Sequence, residues 1–171
     1  MPVADIVPLA RIPVQDVEKL LDTAFGTDRF GRTAYRLRKG TRPIPELSFA
    51  TIDETGALIG TIQCWPVKLV DDAGNQTPMV MLGPVAVEPA LQQGGIGRAM
   101  MRATLDAWEK LNLPTLMMIG DPEYYGRFFD FTAEDTGAWV IDGPVERRRL
   151  LARAHPGVTI PHSGEILPRT D

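Results

Sequence analysis

The stretch Gly83-Pro-Val-Ala-Val-Glu-Pro-Ala-Leu-Gln-Gln-Gly-Gly-Ile-Gly-Arg-Ala-Met100 reads as an apolar strand, a short turn, a glycine cluster and then an amphipathic helix. Gly94, Gly95 and Gly97 fall within four positions, where glycine disfavours a helix start unless bare backbone is needed. Two needs fit. Positive φ turns successive N–H groups inward, and a missing Cβ lets a bulky anion approach. A phosphate at the first helical turn would engage amides that otherwise have no partner. Arg98 and Arg102 sit near the positive helix end, which a bound anion would make favourable; both also read as exposed cations, Arg102 facing Asp106 one turn on. No Lys-Ser/Thr follows the glycines, which excludes a Walker loop, and the third glycine of a dinucleotide fingerprint is missing.

Working outward, 79–87 is the strand that feeds this turn and 95–111 the helix, with Ile96, Ala99, Met100, Ala103 and Ala107 as its apolar face. Pro114 stops that helix and 115–119 is a short buried strand, so strand, helix and strand form a parallel crossover unit. Upstream, 47–52 and 57–65 flank the turn Asp53-Glu-Thr-Gly56, a hairpin signature, and the polar turn 71–76 leads into the glycine-turn strand. Residues 3–9 read as an edge strand. Pro13 starts a helix with Val14, Val17, Leu20, Leu21 and Ala24 at helical spacing, and Gly26 ends it. A second helix is expected over 30–39. Downstream, Asp121-Pro122-Glu123 is a helix start combining a capping carboxylate, a first-turn proline and an acid. That helix runs to about Phe129, a strand covers 136–141, a last helix 145–154, and 155–171 is a surface-hugging tail.

The 171 residues suit one domain, 1–155, followed by the tail 156–171. No apolar run reaches the roughly 18–20 residues of a membrane span, and the opening residues lack a signal-peptide pattern. A cytoplasmic protein is the expectation. A net charge of −4 argues against a general nucleic-acid binder. The single cysteine, Cys64, lies in an apolar segment and reads as an inert buried thiol; His155 and His162 have no partners at metal-ligand spacing, so no metal is expected.

The element order, with Gln92-x-x-Gly95-x-Gly97, resembles the acyl-CoA-binding motif of the GNAT superfamily of N-acetyltransferases. The resemblance implies an α+β fold: a mixed, mainly antiparallel sheet with a central βαβ unit and flanking helices. It implies acetyl-CoA as acyl donor. Val85, Ala86 and Val87 would offer main-chain contacts to the acyl carbonyl and pantetheine, for which the ladder-breaking Pro84 is suited independently. Gln92, Gln93, Gly94, Gly95, Ile96, Gly97, Arg98 and Ala99 would form the pyrophosphate loop. Tyr125, with Tyr124 as its aromatic predecessor, matches a family tyrosine that protonates the departing thiolate. The family follows this tyrosine, after three residues, with Gly-Phe; here those positions hold Phe129 and Asp130, so the turn is built differently or the register moves by one, which keeps Tyr124 in play.

The resemblance points to direct transfer in a ternary complex to an amine acceptor, a small molecule or a peptide, and is compatible with a homodimer. Glu46 and Glu88 are candidate bases. Phe25, Phe30, Tyr35 and Trp65 are candidates for the acceptor side, where Arg29, Arg32, Arg36 and Arg38 would favour an anionic acceptor or simply face water. A rival reading is a non-catalytic acyl-CoA-binding sensor.

Overall fold

A computed structural model describes residues 4–170; Val3, the first residue of the expected opening strand, lies outside them. The chain divides into two compact units, one made of residues up to Phe30 with Pro43–Cys64 and Pro84–Leu111, the other of Gly31–Arg42, Trp65–Gly83 and Asn112 onward. Two long strands contribute to both: β3, Leu58–Val70, and β4, Gln76–Val87.

In the first unit the strand order is β1, β2, β3, β4, with β1 (Asp5–Pro8) at the edge. β1 pairs antiparallel with β2 (Phe49–Ile52), and β2 antiparallel with β3. The hairpin turn is held by Asp53, whose carboxylate accepts from the Thr55 hydroxyl (2.7 Å) and from the amides of Thr55 (2.9 Å) and Ala57 (3.0 Å). These bonds, the Thr55 hydroxyl first, hold the Asp53 carboxyl below its ordinary value.

Helix α1, Val14–Phe25, buries Val17, Leu20 and Leu21 against Leu9, Ala50 and Ala86. It stops at Gly26, whose φ of 91° is open to glycine and whose amide bonds Asp22 O at 2.8 Å. Val14, at the first position of the helix, faces water at 72 % exposure. The buried Arg29 ties this helix down through ion pairs with Glu18 and Asp22.

Helix α3, Ile96–Leu111, covers the other face of the β2–β3 hairpin. A Cβ on Gly60 would come within 2.9 Å of the Met100 side chain and 3.0 Å of Ile96, so the glycine sets the approach of helix to strand. Its buried stripe is Met100, Met101, Thr104, Leu105 and Trp108, rotated from the expected one: Ala99 is exposed and Ala103 and Ala107 are half-buried. The larger side chains decide the rotation, since they remove more apolar area from water than alanines do. Thr104 enters the core by donating its hydroxyl to Leu47 O at 3.0 Å.

In the second unit the order is β6, β8, β3, β4, β5, β7. β4 and β5 (Leu116–Ile119) pair in parallel, completing the expected crossover through α3. β5 pairs antiparallel with β7 (Leu150–Arg153), β3 antiparallel with β8 (Ser163–Pro168), and β8 in parallel with β6 (Ala138–Val140). The five-residue link between β3 and β4 is too short for a parallel crossover, so these neighbours run antiparallel. The pairings are therefore mixed and mainly antiparallel. Trp65, Met79, Met117, Trp139, Leu150 and Ile166 anchor the unit's core.

Three expectations fail in this unit. The helix over 30–39 is a 3₁₀ turn at Arg29–Gly31 and then only one turn, α2, Thr33–Arg36. The helix over 145–154 is a 3₁₀ turn, Arg147–Arg149, followed by β7, because the consecutive Leu150, Leu151 and Ala152 are all fully buried, as in a strand covered on both faces. The tail after 155 carries β8, with Ile166 fully buried and pairing on both of its edges.

Candidate active site

The glycine turn belongs to the first unit. Pairing of β4 with β5 is confined to Val80↔Leu116 and Met81↔Met117, so that ladder has ended before Gly83. Gly83 has φ of 125°, and Pro84 after it has no amide to donate. Val85 and Val87 are half-buried and Ala86 is buried. The chain then leaves the strand through a 3₁₀ turn, Pro89–Leu91, and the Gly94 amide is spent on Leu91 O at 3.1 Å.

The remaining glycines serve different purposes. Gly95 has φ of 79° with open space where a Cβ would stand, so backbone conformation requires it. A Cβ on Gly97 would meet only Val87 Cγ2 at 3.7 Å, an ordinary contact; the protein itself does not demand glycine there. Ala99 donates to Gly95 O at 3.1 Å, and the amides of Ile96 and Gly97 lie ahead of that bond at the positive end of a 16-residue helix. An anion fits this arrangement: open backbone, helix N-terminus, and the exposed cations Arg98 and Arg102 in the first two turns. Gln92 and Gln93 are exposed on the same turn.

Helix α4, Pro122–Phe129, carries the tyrosines within the second unit. Asp121 caps it, accepting from the Glu123 amide at 3.0 Å, with Pro122 at the first helical position. The rings of Tyr124 and Tyr125 meet edge to face at 4.9 Å, and Tyr125 also contacts Phe129 and Phe131. Burial first, then the neighbouring Tyr124 and Asp121, pushes the Tyr125 phenol up to about 12, with Arg149 opposing. Tyr125 therefore holds its proton throughout the neutral range and can donate it.

Gly120 makes room for that ring, since a Cβ there would stand 2.8 Å from two of its carbons. Sequence reasoning missed this glycine; its place just before a helix cap signalled only a turn. Arg149 was equally illegible. It comes near Tyr125 because Gly120 N bonds Arg149 O at 2.9 Å where β7 enters beside β5.

The end of α4 turns on a left-handed residue. Asp130, at φ 60° and ψ 29°, is the left-handed residue, and Phe131 after it is buried. A left-handed residue followed by a buried Phe thus falls one position later than the Phe129-Asp130 pair at which the resemblance placed Gly-Phe. The last turn is widened. Asp130 donates to Tyr125 O, five residues back, and Phe131 reaches the same oxygen at 3.2 Å, six back. Arg153 completes the end by donating to Phe129 O at 3.0 Å.

The other candidates are dispersed. Glu46 is exposed on the 3₁₀ turn Pro45–Leu47, and Glu88 is half-buried just after β4. Cys64 is fully buried and desolvation pushes its thiol far up, which fits the inert reading. Phe25 is half-buried and Phe30 exposed. In the second unit the Arg38 guanidinium stacks over Tyr35 at 4.2 Å and Trp65 at 3.9 Å. Among the described residues no group of three or more His, Cys, Asp or Glu side chains could hold a metal ion, and no helix is long and apolar enough to cross a membrane.

A family model described as an acetyltransferase (GNAT) domain matches residues 6–130. The uncharacterized N-acetyltransferase YhbS of Escherichia coli K12 is 26% identical over 117 residues, spanning 68% of this chain and 67% of the relative. A crystal structure of the Escherichia coli YhbS in complex with CoA superposes with a TM-score of 0.71 at 21% identity, covering 98% of this chain and 89% of that one. A GNAT family acetyltransferase from Brucella melitensis in complex with acetyl-CoA gives a TM-score of 0.68 at 23% identity, over 98% and 96% of the two chains. These likenesses establish a shared fold, and the family match runs through both the glycine turn and the tyrosine helix: the chain belongs to the GNAT family of acetyltransferases.

Proposed function

We propose that this chain moves an acetyl group from acetyl-CoA directly to an amine acceptor in a ternary complex. The observation that carries the reading is the glycine turn, where Gly97 leaves space that no protein atom requires, ahead of a helix N-terminus. The two structural relatives carrying CoA and acetyl-CoA support the same donor.

Acetyl-CoA supplies the thioester: the acceptor nitrogen adds at its carbonyl carbon, the C–N bond forms as the C–S bond breaks, and CoA leaves as a thiol. In this reading the amides of 95–97 and the side chains of Gln92, Gln93 and Arg98 bind the pyrophosphate, and the Ala99 amide closes the first helical turn behind it. Val85, Ala86 and Val87 bind through their backbone. Tyr125 gives its proton to the departing sulfur, and Tyr124 packs edge to face against it. The raised phenol suits an acid that must stay neutral until that moment. Glu88, nearer to the 85–87 backbone in the chain than Glu46, is the better-placed candidate to take the amine's proton.

A thermal-shift titration with acetyl-CoA, CoA, ATP and NAD tests the donor, since a ligand that binds only the native state raises the melting temperature. Shifts with acetyl-CoA and CoA alone are expected. Saturable acetyl-CoA binding without acceptor-dependent release of CoA, across a panel of amines, would point to a sensor instead.

A further inference from the structure

Of the three consecutive arginines at 147–149, two are committed within the second unit: Arg147 donates to Trp139 O, and Arg148 pairs with Glu123 of α4. The Arg149 side chain is exposed and makes no hydrogen bond or ion pair among the described residues. Its place in the sheet is fixed all the same. β5 and β7 run antiparallel with Ile119 opposite Leu150. One step further the Gly120 amide bonds Arg149 O at 2.9 Å, which sets Gly120 opposite Arg149.

Opposite residues of an antiparallel pair send their side chains to one face, and neighbours along a strand alternate. Met117, Ile119, Leu150 and Ala152 share the face that packs into the unit's core. Gly120 and Arg149 therefore belong to the other face, with Met118. That is the face of Tyr125: a Cβ on Gly120 would stand 2.8 Å from two carbons of the Tyr125 ring and 2.9 Å from Met118 Cε. Arg149 thus rises on the side of the sheet where that ring lies. The titratable and charged groups around the phenol are Tyr124 and Asp121 on α4, and Arg149 at the start of β7. Burial, Tyr124 and Asp121 all push the phenol up, and Arg149 alone pulls it down.

We propose that Arg149 acts through Tyr125: its guanidinium stabilises the phenolate left when the phenol gives its proton to the departing sulfur. The inference rests on the reading of Tyr125 as the acid given above. In that step the O–H bond of Tyr125 breaks as the S–H bond of CoA forms. The negative charge passes from sulfur to the phenolate oxygen, and water then returns a proton to the phenolate. Burial keeps the phenol neutral but also makes it a weaker acid than the thiol it must form, for which the ordinary value is about 8.5. The transfer is therefore uphill. A cation beside the oxygen lowers that climb, and a guanidinium keeps its charge throughout this range. Tyr125 is only half-buried and Arg149 is exposed, so the step needs no opening of the core.

Near-UV alkaline titration of wild type, Arg149→Gln and Arg149→Lys, each minus the same protein carrying Tyr125→Phe, isolates the Tyr125 phenol. Removing the cation raises the phenol further. At a fixed pH below the midpoint the ionised fraction should fall about threefold in Arg149→Gln, the worth of one exposed charge, and stay near wild type in Arg149→Lys. Steady-state kinetics with acetyl-CoA and spermidine, glucosamine or a lysyl peptide should show kcat lower by about the same factor in Arg149→Gln, with KM for both substrates unchanged. Adding Arg149→Gln to Tyr125→Phe should cost nothing more. An unchanged ionised fraction overturns the proposal. So does a kcat loss that persists in the Tyr125→Phe background, or a raised KM with kcat intact, the mark of a ligand contact. An equal loss in Arg149→Lys with a lowered melting temperature marks a merely structural arginine and overturns it as well. Failure of the underlying reading shows separately, as wild-type kcat in Tyr125→Phe while the titration still separates wild type from Arg149→Gln.

Discussion

The glycine turn and the tyrosine helix are built on opposite principles. At 92–99 the groups proposed to bind are backbone amides, the side chains of Gln92, Gln93, Arg98 and Ala99 are exposed, and one glycine is required by its φ while the other leaves space unfilled. At 120–131 the group proposed to act is a side chain, that of Tyr125, half-buried among aromatic rings, and the backbone around it is shaped to hold it: a cap at Asp121, a missing Cβ at Gly120, a widened turn at Asp130. A backbone site is indifferent to most side chains but fails when a Cβ or a wrong φ is introduced. A side-chain site fails when one atom is removed and tolerates much else.

The sharpest separation between the two should come from Tyr125→Phe. Loss of a general acid lowers kcat by about a hundredfold or more, while acetyl-CoA affinity stays within about twofold. Steady-state kinetics beside a binding titration reads both numbers, and a wild-type kcat would remove Tyr125 as the acid. Gly95→Val should do the reverse. Forcing a β-branched residue to φ near 79° costs roughly 1–3 kcal/mol of stability and weakens acetyl-CoA about a hundredfold.

Gly97→Ala sharpens the contrast. The new methyl meets protein only at 3.7 Å, so stability should stay level or rise by up to about 1 kcal/mol as acetyl-CoA affinity falls about tenfold. Loss of stability without loss of affinity would mean the open space is not for a ligand. In the tyrosine region Gly120→Ala should destabilise by about 1–3 kcal/mol and reduce kcat about tenfold, because the methyl would collide with the Tyr125 ring.

A smaller effect is alkaline. With the Tyr125 phenol raised to about 12, against about 10 when unfolded, the folded state favours the neutral form. Its contribution is intact below pH 10 and drains away as pH rises toward 12, so denaturation curves of wild type should lose more across that window than those of Tyr125→Phe. The smallest is Asp130→Gly, which relieves a left-handed non-glycine residue and should add about 1 kcal/mol with no change in kcat.

What could be read in advance follows the same divide between local and distant causes. The turns at Asp53 and Gly26, the cap at Asp121 and the glycine turn are each determined by a handful of adjacent residues, and the sequence carries them plainly. β7 and β8 are strands because of partners far away in the chain: Leu150 sits opposite Ile119, and Ile166 opposite Leu69. Nothing near Arg147 or Pro161 announces that. The α3 stripe differs for a related reason: Ile96, Ala99, Met100, Ala103 and Ala107 satisfy the periodicity, but of these only Met100 joins Met101, Leu105 and Trp108 in the core. The role of Gly120 comes from side-chain packing that no local pattern encodes.

The place of β8 has a consequence for how the protein is made. β6 is paired through β8, and β8 in turn closes on the far half of β3, which was synthesised some hundred residues earlier. On the ribosome β3 emerges long before the strand that must lie beside its second half. That edge then stays bare until residue 168 has left the exit tunnel. The second unit therefore cannot finish folding before Pro168 has emerged, and a chain stopped short of Ser163 would present two unpaired strand edges to its neighbours in the cell.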